Sequence, residues 1–402
     1  MKIIIIFLIS IVFSVAYASN NSQCLLENYF LETEQYKSSL LDDKEKKLEL
    51  ERKELSLLPD IYVGVGQYTS NNRSFQSIKE SSVDLGISQK IYDGGNFIKS
   101  REKINSDIEY NKLMLHDKRN NYLIDLYRSV IEYKYKLDLR ELYFTQLQNQ
   151  NIQFEAAQEN FKSGNIAEIE LTAAKIRKDD LFNKLKYLDN EIQQSGLDIY
   201  ANFNVPLNYI SSINKDTILS CKTESVDYVL KKSRVLLHQI EKANLELEKT
   251  TMLPHASLSA YISPPESGTL KDLSLRKSDF GVSINVTIPV SNFFSMNSIE
   301  NSYAIAVNRI NHTHAQKSKI YFREKERTKI KLNQLKNDLI LSKRIVELRN
   351  REVNYIFNRF KDKKENIISY YRQMDEYDLA KINMKREERE IEFNEVYLSI
   401  LD

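Results

Sequence analysis

Pro59-Asp60-Ile61-Tyr62-Val63-Gly64-Val65-Gly66 and, beyond a polar loop, Val83-Asp84-Leu85-Gly86-Ile87-Ser88 are the runs whose reading decides the fold of this chain. Ile61, Val63 and Val65 alternate with Tyr62, Gly64 and Gly66, and Val83, Leu85 and Ile87 alternate with Asp84, Gly86 and Ser88. A period of two is that of a strand with one apolar and one polar face, so the stretch from Pro59 to Asn96 reads as a β-hairpin. It is framed by highly charged helical sequence, and neither flank offers an apolar domain to cover the greasy face. The question is what solvent that face meets.

Outward from the hairpin, composition sets the frame. The 402 residues are 28% charged, with nine Gly, six Pro and no Trp, which predicts long helices and few turns. Basic and acidic residues nearly balance at a formal net charge of +2, which gives no bias toward nucleic acid. At the start, Lys2, an apolar core from Ile3 to Val15 and then Ala16-Tyr17-Ala18 read as an export signal cleaved after Ala18. The apolar run is shorter than the ~20 residues of a spanning helix. Beyond Ala18 no stretch approaches that length, so any entry into a membrane is by strands. In an exported chain the two cysteines, Cys24 and Cys221, either pair or stay as two isolated buried thiols, and the sequence leaves both open.

The order of elements repeats. Residues 22–57 contain no Gly or Pro and read as one helix before the first strand pair, about 60–69 and 83–92. Asp93-Gly94-Gly95-Asn96 breaks the second strand and offers Asn96 as a helix cap. The helix that follows has no Gly until Gly164 and would be about 100 Å long at 1.5 Å per residue. It carries a 3,4 seam: Leu123, Leu126, Val130, Tyr133, Leu137, Phe144, Leu147, Phe154 and Phe161. Lys162-Ser163-Gly164-Asn165 turns it into a second helix, and residues 206–224 read as a linker. Then come a helix from Ser225, a second strand pair at about 255–262 and 279–290, and a long helix with the seam Leu332, Leu335, Leu339, Val346, Val353, Ile356, Phe360. A tip at 361–366, containing Lys361, Asp362, Lys363 and Lys364, leads to a last helix. Pro59 and Pro254 mark corresponding positions, as do Asp179 and Asp378. The expected organisation is a signal peptide at 1–18, one repeat at 19–205, the linker, and a second repeat at 225–402.

Each strand has about the nine to eleven residues that cross a bilayer when tilted. Four strands cannot close alone, and open edges are not tolerated in lipid, so several protomers must pool them; three would give twelve. On that reading Ile61, Val63, Val65, Leu85, Ile87, Leu258, Ile262, Val282, Ile284 and Val286 face lipid. Tyr62, Gly64, Gly66, Ser257, Ser259, Tyr261, Ser283, Asn285 and Thr287 face a lumen.

The signal peptide, the twofold order of helix and hairpin, Ser88-Gln89-Lys90-Ile91-Tyr92-Asp93-Gly94-Gly95 closing the first strand pair, Ile288-Pro289-Val290 closing the second, and Asn160-Phe161-Lys162-Ser163-Gly164-Asn165 at the first tip together resemble the TolC family of outer-membrane efflux proteins. The resemblance covers almost all of the mature chain. It implies a mainly α protein with a β membrane part: a homotrimer with a twelve-stranded barrel in the outer membrane of a Gram-negative bacterium and a twelve-helix periplasmic tunnel. It implies that the helical tips dock a periplasmic adaptor and an inner-membrane pump, of RND or ABC type, for efflux or type I secretion. Three departures stand out. Ser291-Asn292-Phe293-Phe294 replaces the Asp-Gly-Gly break, and Lys363 stands where the first tip has Gly164. Ser369 and Arg372 stand where the family carries entrance aspartates, so that ring is not carried over; Glu168 and Glu170, after the first tip, are the alternative lumen carboxylates, although acids there also suit a solvated helix face.

Chemistry is sparse. His312 and His314 are the only close histidine pair and point to different helix faces, the cysteines have no zinc spacing, and Asp93-Gly94-Gly95 is a turn rather than a phosphate cradle. No nucleophile and base arrangement is apparent, so the expectation is a non-enzyme without cofactor. The rival reading is a periplasmic coiled-coil adaptor or scaffold, against which the duplicated strand pairs argue.

Overall fold

The computed structural model describes residues 24–66, 82–222, 224–263, 279–362, 364–365 and 367–402; the cleavage residues Ala16 and Ala18 and the tip residue Lys363 lie outside them. Along the chain come helices α1 (Glu27–Leu31) and α2 (Glu34–Leu55), strands β1 (Asp60–Gly66) and β2 (Ser82–Tyr92), and helices α3 (Asn96–Lys162) and α4 (Glu168–Phe203). Short helices α5 (Leu207–Ile210) and α6 (Lys215–Leu219) lead to α7 (Val226–Thr250), strands β3 (His255–Ser263) and β4 (Asp279–Thr287), and helices α8 (Met296–Lys361) and α9 (Ile367–Leu401).

The first helix is interrupted rather than continuous. Thr33 adopts an extended backbone, its hydroxyl accepts from the Tyr36 N–H and donates to Phe30 O, and α2 starts anew from it. The break lets Phe30 turn into the core while α2 follows α3.

The sheet is one antiparallel layer in the order β1-β2-β3-β4. Ile61 pairs with Ile87, Leu85 with Ile262, and Ala260 with Val282, so the apolar positions of all four strands share one face. β4 ends at Thr287 instead of reaching 290, because Pro289 has no N–H for a ladder and a 3-10 turn, Val290–Ser295, takes over.

Handover from β2 to α3 is made by Asp93, not by Asn96. The two carboxylate oxygens of Asp93 accept from Gly95 N–H (3.0 Å) and Phe97 N–H (2.8 Å), while Gly94 and Gly95 take left-handed φ values of 68° and 83°. Asn96 is instead a bridge: it accepts from the Lys53 ammonium and donates to the Thr250 hydroxyl. In the second handover Asn292 donates to Thr251 O, tying the 3-10 turn to the end of α7.

α3 packs against α2 and α7 near the sheet and against α4 and α9 further away; α8 packs on α7 and α9. The seam predicted in α3 holds at Leu123, Leu126 and Val130, which are buried, and fails further on, where Phe144 and Phe161 are exposed and Leu142, Gln150 and Gln153 are buried instead. A straight helix drifts about 20° per heptad from a strict 3.5 repeat, and α3 has different neighbours along its length. In α8, Leu332 and Val353 are buried and the rest of its seam is half-buried, so the seam runs through.

The densest core lies midway along the bundle. Leu26 and Phe30, Leu123 to Val130 of α3, Ile199 of α4, Val205, Ile210, Ile213 and Ile218, and Val396 and Ile400 of α9 meet there. The segment read as a linker is therefore a core element: its Ile210, Ile213 and Ile218 have no exposed surface. Cys24 and Cys221 form a disulfide across this core, with Cα atoms 4.8 Å apart. Tyr122 donates to Phe203 O and Tyr127 to Glu392, and burial raises both phenol pKa values.

Candidate membrane face, helical tips and channel entrance

All ten residues expected to face lipid are exposed, and they form one surface. Strand pairing puts Val63 opposite Leu85, Leu85 opposite Ile262, and Leu258 opposite Ile284, with Phe280 and Ala260 filling the same face. Four strands of large aliphatic side chains, with no covering layer among the described residues, form a contiguous apolar patch far more extended than scattered surface hydrophobes. The opposite face carries Asp60, Tyr62, Gly64, Asp84, Gly86, Ser88 and Lys90 from the first hairpin, and His255, Ser257, Ser259, Tyr261, Gly281, Ser283, Asn285 and Thr287 from the second. Ser259 donates to Ser88 across β2 and β3 at 3.2 Å. β1 and β4 are the two edges of the layer. Among the described residues no helix is long and apolar enough to cross a membrane, a statement that does not bear on strands.

The first tip is built by Gly164. Its φ of 73° lets Gly164 N–H reach Phe161 O and Asn165 N–H reach Asn160 O at 2.8 Å, the paired bonds that close a Schellman turn. Lys162 ends α3 in an exposed ion pair with Glu159, and Ser163 donates to Glu159 O. At the second tip Lys364 N–H reaches Arg359 O at 2.9 Å, the same closing bond, across the position of Lys363. Asp362 caps α8 through its N–H to Asn358 O, Lys364 pairs with Asp362, and Arg359 with Glu365. Helices α3 and α8 leave the sheet together and span 67 and 66 residues, which carries both tips to about 100 Å from it.

Glu168 and Glu170 are exposed in the first turn of α4, where a carboxylate favours the positive end of the helix dipole. The acids with altered chemistry are elsewhere. Asp375 is pushed up to about 6, first by burial and then by the like charge of Asp378, with Arg177 pulling the other way. Asp378 is also raised, chiefly by burial, with Lys381 opposing, and its Oδ2 has no hydrogen-bond partner among the described residues. A cleft between α3 and α9 beside it is lined by Asp138, Glu141, Thr145, Asp378, Lys381 and Lys385. Sequence reading treated Asp378 only as a register mark. The available signal was its spacing: Tyr371, Asp378 and Ile382 fall on one inward stripe of α9, so an acid occupies a core position. Arg372 and Ser369 lie about one and two turns nearer the tip than Asp375, and Arg372 is exposed.

No group of His, Cys, Asp and Glu suited to a metal ion occurs among the described residues. A cavity of about 910 Å³ lies at the strand-to-helix junction and is lined by Arg52, Lys53, Lys90, Asp93, His255 and Asn292 among others.

No protein-family model matches the chain, and no curated protein resembles it in sequence. Solved structures match it in fold. The CmeC outer membrane channel of Campylobacter jejuni superposes with a TM-score of 0.73 at 13% identity, over 94% of this chain and 84% of that one. The outer membrane protein VceC of Vibrio cholerae gives 0.67 at 12% identity over 94% of both chains. The open state of the MtrE outer membrane channel of Neisseria gonorrhoeae gives 0.69 at 10% identity, over 93% and 88%. At such identities the likeness concerns architecture, and it covers 93–94% of this chain: this chain has the fold of the TolC-type outer-membrane channels.

Proposed function

We propose that the chain is the passive exit duct of a tripartite efflux or type I secretion system, working as a homotrimer in the outer membrane with most of its length in the periplasm. The observation that carries the reading is the apolar face of the sheet, uncovered among the described residues, with β1 and β4 as its two edges. In water such a face costs about 25 cal/mol per Å² of apolar surface left wet, and in lipid that cost disappears. Unpaired edges, by contrast, are not tolerated in lipid, so β4 must pair with β1 of another copy.

The arrangement within one chain supports how copies would join. β2 of the first half pairs with β3 of the second, and α3 packs on α7 and α9. If the halves are equivalent, β4 pairs with the next copy's β1 and α8 packs on its α2 and α4. Those helices carry the exposed apolar residues such a contact needs: Ile320, Phe322, Leu341 and Leu348 on α8, Leu41 and Leu48 on α2, and Phe182 on α4. Three copies give twelve strands, an even number suited to an antiparallel barrel. Tyr62 stands three positions after Pro59 whereas Tyr261, in the same row, stands seven after Pro254, a stagger that tilts the strands as closure requires.

On this reading Ile61, Val63, Val65, Leu85, Ile87, Leu258, Ile262, Val282, Ile284 and Val286 contact lipid. Lys162, Ser163, Gly164, Asn165, Lys361, Asp362, Lys363 and Lys364 form the adaptor-docking tips, and Glu168 and Glu170 stand near the entrance. The pump, of RND or ABC type, supplies the energy. The test is to purify the full chain from outer-membrane fractions in mild detergent and measure its mass by native mass spectrometry. A trimer that adds conductance to a planar bilayer is expected; a monomer from the soluble periplasmic fraction would sink the proposal.

A further inference from the structure

The polar face of the sheet has an uneven pattern. One row of paired residues reads Tyr62, Gly86, Tyr261, Gly281 across the four strands, and in a neighbouring row Gly64 stands opposite Asp84. Each of these side chains lies over the glycine of an adjacent strand. A Cβ built at Gly86 would sit 2.7 Å from Tyr62 Cε1, one at Gly281 2.7 Å from Tyr261 Cε1, and one at Gly64 2.7 Å from Asp84 Cγ. Real Cβ atoms do not come within 3.0 Å, so the space a side chain would have used at each glycine is already filled by its neighbour. On an ordinary pleated surface side chains stand roughly perpendicular to the sheet. Here the phenol rings are laid down along it and remain partly exposed, Tyr62 at 37% and Tyr261 at 41%.

Two consequences follow from geometry alone. Covering a glycine restores packing that the missing side chain would have supplied, a known device for glycine in strands. A recumbent ring also projects from the wall by about its thickness rather than its length. We infer that Gly86 and Gly281 set the bore of the duct by keeping Tyr62 and Tyr261 flat against the wall. This rests on the reading of the polar face as the lumen. Three copies supply six such pairs, distributed obliquely because the strands are staggered. Their exposed ring faces form an aromatic lining that attracts cations passing over it.

The experiment uses the full-length chain in intact cells carrying Ser259→Cys, with thiol reagents of graded size added outside. Ser259 is on the polar face, on the helix side of the tyrosine row, and the native cysteines are joined in a disulfide. In the otherwise unchanged chain, bulky reagents label position 259. Gly86→Val with Gly281→Val lifts the rings, and only the small reagents then react. Adding Tyr62→Ala and Tyr261→Ala to that variant restores bulky labelling. If the valine variant is not recovered, Tyr62→Ala with Tyr261→Ala alone must speed labelling by the largest reagent. Unchanged size cut-offs in assembled valine variants, or unchanged rates in the alanine pair, overturn the inference. A position 259 closed to every reagent, beside a reactive Ile284→Cys, would instead overturn the assignment of the lumen face.

Discussion

Ile210 and Ile213 have no exposed surface, whereas Ile61 and Ile284 have 74% and 69% of theirs exposed. The same side chain thus serves two regions under opposite rules. Midway along the bundle, branched aliphatics are sealed among five segments of the chain. In the sheet, equally apolar residues are arrayed outward with nothing over them among the described residues. The contrast teaches that burial within one protomer is not the measure of whether this chain is well built; the medium around each region is.

Three interventions probe that contrast, the largest first. Ile210→Ala leaves a cavity where four distant segments meet and is expected to cost about 2–5 kcal/mol, read as a fall in the thermal or denaturant midpoint in detergent. A change under about 1 kcal/mol would mean that this core relaxes freely, and the contrast would lose one of its poles. Ile284→Arg tests the other pole: if this face meets lipid as proposed, a cation there near the bilayer midplane costs about 2–4 kcal/mol, whereas Ser283→Arg, its neighbour on the polar face, is tolerated. Heat-modifiable assemblies in membrane fractions report the difference, and equal losses at both positions would break the two-faced reading of the sheet. The smallest effect lies between the extremes, in the distal bundle, where polar groups are buried. Asp375 binds its proton more tightly folded than unfolded, so its contribution to stability is fully present below its ordinary 3.8 and is lost as pH rises through about 6. Asp375→Asn should therefore stabilise the chain at pH 7.5 by about 1–2 kcal/mol after partial screening, and not at pH 4. A stability difference independent of pH would show that the carboxyl is solvated.

Much of this was legible in the sequence, for identifiable reasons. Alternation at Ile61 to Ile87 and at Ala256 to Val286 is a local, two-residue signal, and it yields both strand and face. The long helices follow from the absence of Gly and Pro, and the first tip from one Gly at a left-handed position. What escaped depends on contacts between distant segments. Ile210, Ile213 and Ile218 share no helical or strand period, lie among Asn and Ser, and are core only because α3, α4, α9 and the start of the chain converge on them. The interruption of the first helix at Thr33 escaped for the same reason, since it serves Phe30. In α3 the seam was misread beyond Leu137 because a strict 3,4 count does not follow a straight helix whose partners change. The burial of Asp378 depends on helices packed against α9, and locally only its spacing with Tyr371 and Ile382 marks it.

The disulfide between Cys24 and Cys221 gives the chain an unusual covalent topology. It converts α1 through α6, with the first hairpin inside them, into a closed ring of which the second half is a tail. A single backbone cut within that ring releases no fragment until a reductant is added, so nicked and intact molecules have the same mass, apart from one added water, and separate only after reduction. The ring also imposes an order in time. It cannot be sealed before residue 221 has emerged beside residue 24, so the first half must wait for its own last helix before its ends are locked, while the second half can still be arriving.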